Sequence, residues 1–287
     1  MDFYITTIIL GLCLSAMGLG VFMSMKIFNI PDITTDGSYT LGAVVTAVML
    51  TNHISLFIII PTVMLCGAVA GCITAFIHTK FKIDALLAGI LTMTALYSIN
   101  LTILGRSNQP LIDTKNIFSI VSIVSNPIYN SLIIITVIIV IISIIIAYIL
   151  KTDFGIAMRA TGNNAAMVRA LGVNDNKIKY FGLAIANSLT AFAGFLITQN
   201  QFYADINMGI GIVITGLGSV LIADALKSLL KINSLPKQLI LVVVSSIIFQ
   251  IVLAITLSIG VNPNLLKLTT ALFVLIIVAV TKLRKTI

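Results

Sequence analysis

Apolar runs of about 20 residues recur along the chain with short polar connectors between them, and one such run is what an α-helix needs to cross a bilayer. The pattern predicts spans at 3–25, 53–77, 84–104, 131–150, 181–199, 208–230, 235–259 and 265–282. A shorter run at 39–51 follows FNIPDITTDGSYTLG, where Pro31, two aspartates and Gly37 break the hydrophobicity. It reads either as a complete, glycine-softened span or as a re-entrant half-helix. The expected architecture is therefore an all-α integral membrane protein: a polytopic helical bundle with about nine membrane segments, one of which is a candidate for a re-entrant or broken helix. The opening run is too long for a signal peptide's apolar region, follows Asp2 and lacks a clear small-residue cleavage site, so it is expected to remain as the first span.

Two local patterns refine this picture. Gly67 and Gly71 lie four apart in the third run, a small-residue face that lets another helix approach closely. In the longest connector, 105–130, Ser119, Ser122 and Ser125 recur every third residue between Ile and Val, which suggests a short interfacial helix.

The longest polar passage is 151–180, KTDFGIAMRATGNNAAMVRALGVNDNKIKY. After a turn at Phe154 and Gly155, either Asn163 or Asn164 can cap a helix, because a short polar side chain accepts from the free amides of the first turn. Gly172 can end that helix in the left-handed conformation. Asn174 offers a second cap, and Asp175 falls in the next first turn, where the helix dipole favours an acid. The result is a helix of about two turns, from about Asn164 to Leu171, held between two spans. With Met167, Val168 and Leu171 beside Arg159 and Arg169, it is shaped either to dock into a partner or to lie on the lipid surface, and caps and charges do not choose between the two.

Composition agrees with a membrane class: 59% of residues are hydrophobic, 9% are charged, and there is no Trp and no Glu. No span of chain is left for a soluble domain, so residues 1–287 are expected to form a single membrane domain. The formal charge of +8 does not point to nucleic acid, because the basic residues are scattered through connectors without a tract or aromatic interleaving. It sets orientation instead. If 151–180 is cytoplasmic, all of the 17 Lys and Arg except Arg106, Lys115 and Lys267 fall on that side. That puts the N-terminus outside and the C-terminus inside, provided 39–51 crosses. Cys13, Cys66 and Cys72 lie inside apolar runs without zinc-ligand spacing and read as small hydrophobes.

GIAMRATGNNAAMVRALGV (155–173) closely resembles the cytoplasmic coupling segment of ABC-importer permeases of the branched-chain amino acid and ribose type. FNIPDITTDGSYTLGA and GSVLIADAL resemble the tryptophan/tyrosine-type uptake permeases of that superfamily. The three motifs occur in the expected order between Phe28 and Leu230. The resemblance implies that Gly162, Asn163, Ala166, Arg169 and Gly172 form a coupling helix received by a groove on separate ABC ATPase subunits, which would bind ATP and Mg; Arg159 and Asp175 flank it. It also implies an extracytoplasmic solute-binding protein, a permease homodimer, and a place in a bacterial cytoplasmic (inner) membrane. Asp36, Gly37 and Ser38 would sit near the pathway. Asp224 stands where relatives are expected to carry Glu, which leaves its role less defined.

The remaining chemistry favours a permease over an enzyme. There is no GxxxxGK[ST] phosphate loop, no HExxH and no plausible nucleophilic triad, with only His53 and His78 available, both at span ends. No catalytic or metal-ligating set is expected, and no cofactor in this chain. Asp32, Asp36, Asp84 and Asp224 map near the cytoplasmic ends of spans, which weakens a proton relay, since carriers place acids within the bilayer. Mid-span polar positions are neutral: Asn100, Asn187, Ser188, Thr190, Thr215 and Gln250. With Asp36 and Ser38, the candidates for the translocation path are Asn100, Asn187, Thr190 and Thr215, each equally able to be a helix-to-helix hydrogen bond. Gly209, Gly211, Gly216 and Gly218 soften the seventh run as Gly37 and Gly42 soften the second, and paired interrupted helices in two halves point to a central pathway. The function expected is the membrane permease of an ABC importer for an amino acid or similar small molecule. The alternative is a stand-alone carrier or facilitator, and a third reading is a membrane scaffold without transport.

Overall fold

A computed structural model describes residues 2–112, 114, 116–262 and 265–286, with side chains through residue 279. Lys115, residues 263–264 of the turn before the last span and the basic side chains of 282–285 thus lie outside the described set. Among the described residues, nine long helices occupy the nine expected segments: α1 Asp2–Phe22, α2 Thr34–Thr51, α3 Leu56–Lys80, α4 Ala85–Leu104, α6 Pro127–Lys151, α8 Asp175–Gln201, α9 Ile212–Leu229, α10 Leu235–Ser258 and α11 Leu266–Thr286. A single turn, α5 (Ile117–Ile120), and α7 (Asp153–Ala170) complete the helices. Seven of the long helices are apolar and long enough to cross a membrane; the exceptions are α2 and α11, whose apolar part is Leu266–Ala279.

Helix boundaries follow from local chemistry. Asn126 caps α6 by accepting from the Ile128 amide at 3.0 Å, with Pro127 at the first helical position, where its missing N–H is harmless. Asp84 caps α4 in the same way, and α4 stops at Gly105, whose φ is +69°. The expected helix through Ser119, Ser122 and Ser125 is confined to α5. Asn130 reaches back to accept from the Ile123 amide at 2.8 Å and to donate to the Phe118 and Val121 carbonyls, so side-chain bonds replace helical ones there.

Burial identifies the central elements. In α8 and α1, 89% and 78% of the apolar stretch lies inside the protein, against 22% in α6, which therefore lies at its surface. α8 packs on α3, α2 and α1, while α1 also carries α10 and α9 on its other side. The glycine pair of α3 provides the approach expected of it: a Cβ at Gly67 or Gly71 would collide with the α8 backbone at Asn187 or Leu183. Close contact matters here because lipid provides no hydrophobic drive for helix association, leaving packing to hold the bundle.

The two ends of the bundle are distinct. α7 sits at one end, between α6 and α8. At the other, β1 (Asn108–Pro110) pairs antiparallel with β2 (Tyr203–Asp205), joining the connector after α4 to the connector after α8. α8 spans about 40 Å between them at 1.5 Å per residue.

Candidate functional site: the α7 tip and a buried polar seam

α7 is two helices in one. Asn164 departs from helical geometry (φ −156°, ψ 92°), and its Oδ1 accepts from the Met167 amide at 3.0 Å, so Asn164, rather than Asn163, caps the second half. That half ends in a left-handed glycine cap: the Gly172 amide donates to the Arg169 carbonyl at 3.0 Å, the Val173 amide to Val168 at 3.2 Å, and Gly172 has φ +81°. Asn174 then caps α8 by accepting from Lys177 at 3.1 Å. Three caps in a row make a stiff, short helix.

Its faces divide cleanly. Val168 is buried, whereas Met167 and Leu171, four residues apart on one face, are 60% and 71% exposed, and Asn163, Ala166 and Gly172 are exposed with them. Arg169 donates to the buried carboxylate of Asp175 at 2.8 Å, with Lys179 at 3.5 Å from the same oxygen. The guanidinium therefore ties the tip to the first turn of α8. Arg159 donates within its own turn, to the Gly155 carbonyl at 3.4 Å. Gly162 lies against the Ile27 carbonyl, where a Cβ would overlap it, and the Phe28 ring occupies the equivalent space at Gly182 of α8. Ile27 closes a π-helical turn, Met23–Ile27, that continues α1, and Lys26 in this turn forms an ion pair with Asp224 of α9. Sequence order alone missed both ion pairs, since their partners come from separate elements or capped turns.

The candidate path residues fall into three groups. Ser38 donates to Asn187 Oδ1 at 2.7 Å, and Asn187 Nδ2 donates to Asp32 at 2.7 Å and to its own helix at Leu183. Asp32 also accepts from the Thr34 amide, and Thr34 shares a 2.7 Å hydroxyl bond with Thr74 of α3. This seam joins α2, α8 and α3, and every member is buried. Asp32 was not among the sequence candidates; the Asp-x-Thr spacing that lets its side chain accept from Thr34 was the available signal.

Asp36 forms the second group with Asn100. Its two carboxylate oxygens accept from the Gly211 and Val213 amides, each at 2.8 Å, so a side chain of α2 caps the N-terminus of α9. The two softened segments thus meet directly, as Gly209 also packs on the Asp36 carbonyl. This corrects the expected depth of Asp36. It stands at the end of α9 away from Asp224, roughly 16 Å along the helix axis, because 28–33 runs as non-helical chain before α2 begins. Asn100 donates to the Gly37 carbonyl at 3.3 Å beside it. Thr190 and Thr215 make up the third group; each bonds only within its own helix, to Ala186 and Ile212, and the structure does not bring them to the other candidates.

One hollow borders the second group, and a larger one lies apart from all three. A cleft of about 20 Å³ lies between α2, α4 and the α8–α9 connector, lined by Asp36, Thr40, Tyr97, Asn100 and Gly209 among others. A groove of about 480 Å³ lies between the start of α1, the connector before α6 and the end of α8, where Ser119, Ser122 and Ser125 all line it with Thr6 and Asn116. Among the described residues, no cluster of three His, Cys, Asp or Glu could hold a metal.

A lipid-suited bundle with a capped, exposed tip at one end and a polar seam through its centre has the build of a polytopic membrane permease. The particular family follows from comparison. Residues 3–281 match the family described as branched-chain amino acid transport system / permease component, and the chain belongs to that family. A tyrosine transport system permease protein of Clostridioides difficile is 38% identical over 269 residues, covering 94% of this chain and 88% of that protein. A ribose import permease protein of Haemophilus influenzae is 28% identical over 201 residues, covering 67% and 59%. Among solved structures, an inward-facing ABC transporter of metal-chelate type shares the fold, with a TM-score of 0.53 at 13% identity over 99% of this chain and 85% of that one.

Proposed function

We propose that this chain is the path-forming subunit of a bacterial inner-membrane ABC importer. Two copies form the pathway, separate ATPase subunits bind ATP and Mg, and an extracytoplasmic binding protein delivers the solute. The solute class is an amino acid or a similar small zwitterion, a reading supported by the likeness to a tyrosine transport permease.

The observation that carries the proposal is the α7 tip. A two-turn helix with three consecutive caps presents Met167 and Leu171 to the outside while Arg169 binds it to α8 and Gly162 seats its base on the end of α1. Caps alone suit a helix resting on lipid equally well; the ties from Arg169 to α8 and from Gly162 to the end of α1 are what a helix that transmits force needs. Movement of the tip would pass through Asp175 into α8, which packs on α1, α2 and α3, and through Gly162 into the Lys26–Asp224 pair that holds α9. Alternating access follows if closure of two ATPases moves both tips together.

The interior of one protomer supports a path between copies rather than through one. The Asp32–Asn187–Ser38 seam is closed by direct hydrogen bonds, and the cleft at Asp36, at about 20 Å³, is large enough to receive one end of a solute from outside the protomer but not to pass it. Co-expression with candidate ABC ATPases tests the proposal: recovery of a complex from membranes supports it. Uptake that collapses with the ion gradient while ATP stays high would support the stand-alone carrier instead.

A further inference from the structure

The cleft beside Asp36 has a feature that neither helix packing nor coupling uses. Asn100 is 1% exposed and lines the cleft; its Nδ2 is committed to the Gly37 carbonyl, but its Oδ1 has no donor among the described residues. A buried acceptor left unpaired carries a desolvation cost, and such an atom beside a cleft marks a place where a donor is missing. The lining is rich in acceptors. The Asp36 carboxylate takes one N–H on each oxygen, leaving further lone-pair sites, and the Thr40 hydroxyl donates its own proton to the Asp36 carbonyl at 3.1 Å. Gly37 and Gly209 leave the floor without side chains, and Met93, Tyr97, Ile206 and Ile210 form an apolar rim.

From this we infer that the cleft is a subsite for a primary ammonium group, the amine end of the transported solute. A volume of about 20 Å³ accepts one group the size of a water molecule, and an –NH₃⁺ carries three donors and no acceptor, matching a carboxylate, a hydroxyl oxygen and an orphan amide oxygen. The half-exposed Tyr97 ring at the rim suits an apolar or aromatic remainder. The inference rests on the importer reading, since it gives the path a chemical preference for amines.

The test uses the full chain in nanodiscs, without ATPase, and saturation-transfer NMR with methylammonium as the probe and tetramethylammonium, which has no N–H, as its control. The expected result is saturable methylammonium binding at least about tenfold tighter than that of tetramethylammonium, the scale of one charge-assisted hydrogen bond. Asn100→Leu weakens methylammonium binding about tenfold, and Asn100→Gln, which keeps an amide oxygen but displaces it, weakens it by less. Equal binding of the two cations, or binding indifferent to both Asn100 substitutions, overturns the subsite and leaves the cleft as a seat for water. A chain that binds methylammonium but recruits no ATPase overturns the importer reading alone; one that recruits an ATPase and ignores methylammonium overturns the subsite alone.

Discussion

Asp36 is the residue whose surroundings depart furthest from its place in the chain. It lies three residues into α2, yet it serves the first turn of α9 by accepting from two amides whose partners are otherwise missing. Asp36→Ala leaves both N–H groups buried without an acceptor and is expected to lower stability by about 1–3 kcal/mol. Asp36→Asn keeps one acceptor and costs less. Thermal unfolding in detergent, followed by helical circular dichroism, orders the three proteins, and an alanine variant as stable as wild type would remove the capping role. Asp175 makes a different demand, because it is buried with Arg169 and Lys179 on its carboxylate. Asp175→Ala is expected to uncouple ATP hydrolysis from uptake while leaving ATPase attachment intact, since the tip keeps its own caps. Assays of both activities in proteoliposomes check this, and retained coupling would show that the ion pair transmits nothing.

At the scale of elements, α7 was the most legible part of the chain and α2 the least. Caps are local: Asn164, Gly172 and Asn174 act within four residues of themselves, so spacing alone placed the second half of α7 and its stop. The first half was read as opening in a turn at Phe154 and Gly155, whereas α7 is helical from Asp153, and Gly155 and Gly162 are there for contact, with Leu150 and with Ile27. α2 was ambiguous because its burial leaves no amphipathic stripe and its start is set by partners on α4, α8 and α9, none of them near in sequence. Of the seam residues, Asn187 was found as a mid-span polar position and Ser38 through the family resemblance, but Asp32 was read only as an acid near a span end, because its pairing with Asn187 across 155 positions leaves no periodic trace. Gly172→Ala places a Cβ at φ +81° and is expected to cost about 1 kcal/mol, fraying the tip helix without disturbing the bundle. Hydrogen exchange at 164–171 should rise while α8 stays protected; unchanged exchange there would mean the cap does not set the helix. Gly71→Leu acts on the other kind of contact. The side chain would occupy the position of the Leu183 backbone and separate α3 from α8, so loss of folded protein from membranes is expected, and normal yield would contradict the packing.

For the molecule as a whole, hydrophobic periodicity and length carried the class, because lipid requires every span to satisfy its own backbone and so writes each crossing into the sequence as a continuous run. How the spans assemble was not written there, since lipid-facing and protein-facing surfaces are equally apolar; only glycines and a few polar atoms mark the contacts. The assembled bundle links one exposed tip to both ends of α9, through Gly162, Lys26 and Asp224 at one end and through α8, α2 and Asp36 at the other. On the proposed reading, an ATPase grips the tip and the linkage carries its movement. Co-purification of the ATPase with wild type and with the double variant Met167→Asp, Leu171→Asp measures this directly. Both side chains are exposed in the chain alone, so the variant is expected to fold and span the membrane normally while losing the ATPase and ATP-driven uptake together. An ATPase retained at wild-type level by the double variant, with uptake intact, would contradict the account.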